Sequence, residues 1–259
     1  MFLKSSNFKS KLKRVLLRLF NTLENNGDCN FETNGEKVFV ESLLKTLDKD
    51  AVMLDIGANI GEYSEIILKE ALKNKVNVQL HLFEPTRSCF STLTKKYSGV
   101  GNVILNNVGL SDVSKRSKIY YDKEKSGLAS LYQRNLKSYS IELSQSEEIN
   151  VKRLDSYVEE KRINHIDFVK IDIEGHELKA FEGFGAYLDG DFIDYIQFEY
   201  GGANLDSGAS LMEIYQVLSD RGFVIAKVMP KGIEVRNYSP YMDNFNYANY
   251  VAVSRNKIQ

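Results

Sequence analysis

The stretch Val52-Met-Leu-Asp55-Ile-Gly57-Ala-Asn-Ile-Gly61-Glu-Tyr63 decides how this chain folds. Its apolar first half predicts a short buried strand, and the residues after Gly61 predict a helix. Gly57 permits a tight turn and lets a ligand approach the backbone closely, while Gly61 lets the helix pack near the strand. The stretch therefore predicts the first strand, ligand-binding turn and helix of a Rossmann-like βαβ unit.

The rest of the chain repeats this alternation of apolar strands and amphipathic helices, which is typical of an α/β fold with a mostly parallel sheet. Strands are predicted at residues 51–56, 76–83, 102–108, 166–171, 195–199, 222–228 and 250–254, and helices at 36–47, 62–73, 86–97, 155–161, 177–183 and 210–221. The last strand is expected to pair antiparallel with the sixth, closing a seven-stranded sheet.

Residues 111–150 interrupt the alternation, because they are polar and rich in serine. We interpret them as an elaborated loop or an edge hairpin, with short strands at 118–122 and 149–152, and not as a separate domain. The predicted organisation is a helical N-terminal extension over residues 1–50 and one α/β domain over residues 51–259.

The composition excludes several classes of protein. Of the 259 residues, 43% are hydrophobic and 27% charged, which is ordinary for a globular domain, and the net charge of −1 argues against a nucleic acid partner. No apolar run is long enough for a membrane span. The two cysteines and three histidines lack the spacing of a zinc site. We expect a cytoplasmic protein.

The first 23 residues differ from the rest in charge, with six Lys or Arg and no acidic residue. Apolar residues recur there at helical spacing and predict a basic amphipathic helix: Leu12, Val15, Leu16, Leu19, Phe20 and Leu23. Such a helix either docks on the body of the domain or contacts the inner face of an anionic membrane peripherally. Of the two, we expect docking.

The glycine spacing distinguishes between nucleoside cofactors. A dinucleotide fingerprint would place glycines at 57, 59 and 62, but the chain has Asn59 and Glu62, so a nicotinamide dehydrogenase is not favoured. S-adenosylmethionine is cationic and suits a strand-end carboxylate such as Asp55. Glu84 ends the second strand, where an acidic side chain accepts hydrogen bonds from ribose hydroxyls. The predicted cofactor site is Asp55, Gly57, Asn59, Gly61, Tyr63, Glu84 and Asp172.

A second polar cluster follows the fourth strand, in Lys170-Ile-Asp172-Ile-Glu174-Gly-His176-Glu177. These side chains are expected at the carboxyl edge of the sheet, where open α/β sheets bind ligands. The predicted catalytic residues are His176, Asp172, Glu174 and Glu199, with His176 as general base and Glu174 or Glu199 as its alternatives. A structural interpretation stays open, in which Glu174 caps the turn while His176 and Glu177 lie on a solvated first helical turn.

Four motifs together resemble the FkbM-type methyltransferase family: Leu54-Asp-Ile-Gly-Ala-Asn-Ile-Gly61, Phe83-Glu-Pro85, Leu154-Asp155 and Lys170-Ile-Asp-Ile-Glu-Gly-His-Glu177. The resemblance covers about residues 52–253 and includes a strand-end glutamate, Glu199. It implies the class I methyltransferase fold, S-adenosylmethionine as cofactor, and O-methylation of hydroxyls on sugars, glycans or glycosylated metabolites.

Further alternatives remain at this point. Asp172 and Glu199 could hold Mg²⁺, as strand-end acids do in catechol-type O-methyltransferases, although no third oxygen ligand is evident. A nucleic acid methyltransferase would normally carry an Asp/Asn-Pro-Pro-aromatic turn after the fourth strand, which is absent here. A methyltransferase acting on another small molecule, or a non-catalytic interaction protein with the same fold, would share the sequence pattern. The pattern does not predict the oligomeric state.

Overall fold

The computed structural model describes residues 7–47 and 50–258, and of Asn7 and Phe8 only the backbone. Its helices are α1 (Asn7–Leu23), α2 (Glu36–Thr46), α3 (Glu62–Asn74), α4 (Arg87–Tyr97), α5 (Leu154–Lys161), α6 (Glu177–Gly183), α7 (Gly202–Ser207) and α8 (Leu211–Asp220). Its strands are β1 (Asp50–Ile56), β2 (Asn77–Phe83), β3 (Val103–Asn106), β4 (Gly109–Leu110), β5 (Lys115–Tyr121), β6 (Gln145–Lys152), β7 (Ile166–Ile171), β8 (Ile193–Tyr200), β9 (Phe223–Met229), β10 (Gly232–Val235) and β11 (Ala248–Ser254).

The main sheet has eight strands in the order β10-β9-β11-β8-β7-β1-β2-β3. Strands β3, β2, β1, β7 and β8 are parallel, and β11 pairs antiparallel with both β8 and β9. The predicted Rossmann-like fold, with its seven strands and antiparallel C-terminal strand, is therefore confirmed. The structure adds β10, a four-residue strand that forms a hairpin with β9 at the sheet edge.

Helices on both faces bury the sheet, which explains why its central strands are nearly continuous apolar runs. One core cluster includes Phe181 of α6 and Leu218 of α8, and the other includes Phe39 of α2 and Ile67 of α3. Because α2 contributes to the same core as α3, residues 36–46 pack with the sheet. The domain boundary at residue 50 stays a prediction.

A separate three-stranded sheet, in the order β4-β6-β5, lies between β3 and α5 in the chain. Strands β5 and β6 pair antiparallel, from Lys115 with Val151 to Tyr121 with Gln145. The predicted hairpin is confirmed, with longer strands than expected. It does not extend an edge of the main sheet, because β6 pairs with β4 on its other side.

Helix α1 does not dock as expected. The predicted helix is present from Asn7 onward, but its large apolar side chains between Leu12 and Leu19 are exposed. The expectation that they pack against the domain was wrong, because the described contacts with the body lie at the C-terminal end of the helix, where the Phe20 ring meets Tyr241. The part of the prediction on residues 1–6 lies outside the described residues. No helix within the described ranges is long and apolar enough to cross a membrane.

Candidate functional site

The turn after β1 is held by backbone hydrogen bonds to both neighbouring strand ends. The amide of Gly57 donates to the Phe83 carbonyl at 3.0 Å, and the Asp172 amide donates to the Ile56 carbonyl at 3.0 Å. Gly57 has φ +83°, and a Cβ there would lie 1.9 Å from the Asp172 carbonyl oxygen. Only glycine fits this position, so the turn brings backbone atoms of two motifs into contact.

The Glu84 carboxylate is fixed at the end of β2. One oxygen, Oε2, accepts from the Asn59 amide at 2.9 Å, and the other, Oε1, accepts from the amide and hydroxyl of Thr86 at 2.8 and 2.6 Å. A carboxylate offers about four acceptor positions, so Oε2 keeps one for a ligand. Burial raises the pKa of Glu84 to about 7. This oriented acceptor lies where the sequence predicted a contact with ribose hydroxyls, and that contact stays a prediction.

Asp55 and Gly61 support the turn from below. The Asp55 carboxylate is fully buried, and its Oδ2 accepts from the Ser64 hydroxyl at 2.5 Å. Burial raises its pKa. Gly61, at φ +81°, begins α3, and a Cβ there would lie 2.9 Å from Leu93 and from Tyr97. Asp55 does not line the cavity, whereas the sequence predicted that it contacts the cofactor.

Tyr63 and Lys170 form part of the cavity floor. The Tyr63 hydroxyl donates to Gln197 Oε1 at 2.5 Å, which holds its ring in place. Lys170 Nζ lies 5.1 Å from the centre of that ring and donates to Asp172 Oδ2 at 2.8 Å. Carboxylates on several sides raise the pKa of Lys170, against the effect of its burial. The ammonium group therefore stays charged and partly neutralises the acids around it.

Three carboxyl groups converge above this floor. Oxygens of Asp172, Glu174 and Glu199 all lie within 4.8 Å of one another. Glu174 forms an ion pair with Arg134, and burial together with Asp172 raises its pKa to about 8. Burial and the neighbouring acids raise the pKa of Glu199 well above its usual range. No described residue donates a hydrogen bond to the Glu199 carboxylate, so it is the acid most available to a ligand.

Glu177 stabilises the loop that carries this cluster. Its Oε1 accepts from the amides of Ile173 and Gly175 at 3.0 and 3.3 Å, and the side chain is buried. Burial raises its pKa to about 7. The structural interpretation placed Glu174 as the cap of this turn and Glu177 in solvent, whereas the buried Glu177 accepts from the loop amides and Glu174 pairs with Arg134.

Both ring nitrogens of His176 contact hydroxyl groups. Nε2 lies 2.9 Å from Ser111 Oγ, and Nδ1 lies 3.0 Å from the Tyr132 hydroxyl. Burial lowers the pKa of His176 to about 4, because it disfavours the charged ring. At neutral pH the ring is uncharged but is a weak base, and the hydroxyl that donates to its unprotonated nitrogen would have to release it before that nitrogen took a substrate proton.

Glu84, Lys170, His176 and the carboxyl cluster line one cavity of about 990 Å³, at the upper end of the usual size for a ligand site. One side is the glycine turn with Glu84, and the centre is the carboxyl cluster. The small sheet and the loop between β5 and β6 add an apolar wall: Leu110, Ile119, Leu136, Ile149 and Val151. The volume and the two kinds of wall can accommodate a nucleoside cofactor together with a small acceptor.

Several lining residues were not predicted. Arg134 lies in the polar segment after β5 and binds both Glu174 and Asp206, at 3.1 Å to the latter. Gly27 and Phe31, directly after α1, and Tyr247, before β11, complete the lining. The sequence carries no periodic signal for these loop residues. Thr86 was detectable, because a hydroxyl two residues beyond a strand-end acid can bond back to it.

Comparison with known proteins identifies the family. The profile of the Methyltransferase FkbM domain matches residues 55–225. A hexuronic acid methyltransferase, AglP of Haloferax volcanii, is 30% identical over 155 residues, which are 59% of this chain and 57% of that protein. The chain thus spans less than two thirds of the length of this relative.

Solved structures are similar at a coarser level. A methyltransferase FkbM from Methylobacillus flagellatus is 17% identical with a TM-score of 0.47, over 93% of this chain and 60% of that chain. Fibrillarin from Aeropyrum pernix, solved with natively bound S-adenosyl-L-methionine, is 12% identical with a TM-score of 0.42, over 82% and 73%. Since both scores are below 0.5, the assignment depends on the profile, which matches about two thirds of the chain. The chain belongs to the FkbM methyltransferase family.

Proposed function

We propose that this protein transfers the methyl group of S-adenosylmethionine to a hydroxyl of a sugar or glycan. The observation that carries the proposal is the pairing of an oriented ribose acceptor with a carboxyl cluster in one cavity. Glu84, held in place by the Asn59 amide, would bind the nucleoside, and Gly57 leaves room beside it. The acids around Lys170 would favour the positive charge of the cofactor, which supplies an electrophilic methyl group on a sulfonium.

The remaining predicted cofactor residues have supporting roles in this proposal. Tyr63 and Asp172 line the cavity and would face the amino acid part of the cofactor. Gly61 sets the start of α3, and Asp55 acts through Ser64 and the turn. The fully buried Asp55 is therefore proposed as a positioning residue.

For the acceptor proton, we propose Glu199 as the general base. It lines the cavity, and its raised pKa makes the ionised carboxylate a stronger base than an exposed glutamate. Glu174, paired with Arg134, is the second choice. His176, the base expected from the sequence, has the weaker case because both of its nitrogens are engaged and its pKa is low. Its proposed role is to hold Ser111 and Tyr132 at the acceptor side.

The carboxyl cluster also bears on the Mg²⁺ hypothesis. Glu174 supplies the third oxygen ligand beside Asp172 and Glu199 that the sequence did not reveal. However, Lys170 contacts Asp172, and Arg134 contacts Glu174, so two cationic side chains already compensate two of the three acids. We propose that these side chains take the place of a metal and that transfer does not need Mg²⁺.

The choice of a sugar acceptor is supported by the relative's name and by the mixed polar and apolar cavity walls. The test is incubation of the purified protein with methyl-labelled S-adenosylmethionine and a panel of neutral sugars, uronic acids and other small hydroxyl compounds. Label in a sugar methyl ether supports the proposal. Label only in other compounds would assign a different small-molecule acceptor. Failure to bind S-adenosylhomocysteine in calorimetry would favour a non-catalytic role.

A further inference from the structure

Helix α1 carries an apolar stripe that the described part of the protein leaves uncovered. Its six large apolar side chains with the highest exposure have 47–65% of their surface in solvent: Leu12, Val15, Leu16, Leu17, Leu19 and Leu23. All but Leu17 fall on one side of a helix, given 3.6 residues per turn. By contrast, Leu211, Ile214 and Leu218 of the amphipathic α8 have no exposed surface. A contiguous exposed apolar stripe of this kind indicates a binding surface.

The face of α1 beside the stripe is basic. Lys11, Arg14 and Arg18 follow helical spacing, are exposed, and form no ion pair with a described residue. Six of the 34 basic residues of the chain lie in residues 1–23, whereas none of its 35 acidic residues does, so the rest of the chain has an acidic excess of seven. Positive charge is therefore concentrated on the one element that also exposes a leucine stripe.

The C-terminal end of α1 is attached to the domain next to the cavity. Glu24 pairs with Lys227 at 3.3 Å and Arg236 at 3.4 Å, and the Asn25 side chain donates to the Val228 carbonyl at 3.0 Å. The Gly27 amide donates to the Tyr247 carbonyl at 2.8 Å, and both residues line the cavity. The four residue steps from Leu23 to Gly27 can span at most about 14 Å. Whatever α1 binds is thus held close to the cavity.

We propose that α1 is a membrane-surface helix, which inserts its leucine stripe into the interface of an anionic bilayer and holds the cavity beside that surface. The stripe supplies apolar area, and the basic side chains bind lipid phosphates. Charge complementarity favours a lipid surface over a second copy of this chain, because two basic helices would repel each other. The proposal does not depend on the identity of the methyl acceptor.

The test is co-sedimentation of the full chain with vesicles of phosphatidylcholine alone and of phosphatidylcholine with phosphatidylglycerol. Each basic side chain near an anionic surface contributes roughly fivefold to partitioning, so three give on the order of 100-fold preference for the anionic vesicles. High salt should reduce this preference. A wild-type protein that fails to bind anionic vesicles, or that binds both kinds equally, overturns the proposal.

Neighbouring leucines supply matched variants. Leu16→Glu places one negative charge in the stripe and should weaken binding to anionic vesicles at least tenfold. Leu17→Glu adds the same residue at the same exposure off the stripe, and should change binding by less than about threefold. Equal losses in the two variants would contradict insertion of a defined face. A dimer in light scattering that Leu16→Glu dissociates, without vesicle binding by the wild type, would assign the stripe to a second copy instead.

Discussion

Replacement of Glu84 by glutamine tests the proposed cofactor site most directly. The change keeps the shape of the side chain but removes its charge, and it turns one acceptor atom into a donor. Oε1 or Oε2 would then become an amide nitrogen facing either the Thr86 or the Asn59 N–H groups. A hydrogen bond to a charged group contributes about 1.5–3 kcal/mol, so the Kd for S-adenosylhomocysteine at pH 8 should rise about 10- to 150-fold.

The effect on folding should be small, because two contributions oppose each other. The pKa of Glu84 is raised from 4.5 to about 7, so its ionised form costs the folded state about 3 kcal/mol at pH 8. This cost arises as pH increases from about 4.5 to about 7, since a raised carboxyl pKa makes the folded state less stable above it. Glutamine removes that cost but loses the hydrogen bond from Asn59. We expect a change in Tm of only a few degrees.

Calorimetric titration with S-adenosylhomocysteine at pH 6 and pH 8 measures the change in affinity, and a thermal melt measures the change in Tm. At pH 6 only about a tenth of Glu84 is ionised, so wild-type affinity should fall about tenfold from pH 8, whereas Glu84→Gln should lose this component of the dependence. Glu65→Gln is the control: it removes an exposed acid of α3 that pairs with Lys96, and it should bind like wild type. Unchanged affinity in a folded Glu84→Gln protein would refute the proposed role.

Three further predictions concern the carboxyl cluster and the turn. At saturating cofactor, kcat of Glu199→Gln should fall at least 100-fold. The wild-type kcat should increase as pH rises through the raised pKa of Glu199, and this increase should be absent in Glu199→Gln but kept in His176→Ala. Loss of the increase in His176→Ala alone would return the role of base to His176. EDTA should leave the initial rate unchanged, and a rate that EDTA removes and Mg²⁺ restores would assign a metal to the cluster. Gly57→Ala should lower the free energy of unfolding by more than about 2 kcal/mol in a denaturant titration, because its Cβ would overlap the Asp172 carbonyl and φ is positive; an unchanged midpoint would show that the turn is not constrained.

Much of the fold was predictable because the signals are local. Strand β7 spans the predicted residues 166–171, and α6 spans the predicted 177–183, since a buried apolar run and an acidic first turn mark them clearly. Strand β10 was not predicted, because four mostly exposed residues beginning with a glycine carry no periodic pattern. The small sheet was recognised only as a hairpin, since the pairing of β4 with β6 joins residues distant in sequence.

The site was predictable where it depends on strand ends and not where it depends on loops. Parallel strands end at one edge, so Asp172 and Glu199 could be placed together from the sequence. Arg134 could not, because the polar segment after β5 gives no indication of which residue returns to the cluster. The role of His176 could not be predicted either, since its base strength depends on burial and on the Ser111 and Tyr132 hydroxyls.

The small sheet and its loop have a consequence for how members of this family diversify. The groups proposed to hold the cofactor come from the ends of β1 and β2, whereas the apolar wall of the cavity comes from residues 110–151, a continuous segment with its own strand pairing. Changes in that segment can reshape the acceptor side without disturbing the strands that bind the nucleoside. If the proposed roles hold, exchange of this one segment between relatives is expected to change acceptor preference while the donor stays the same.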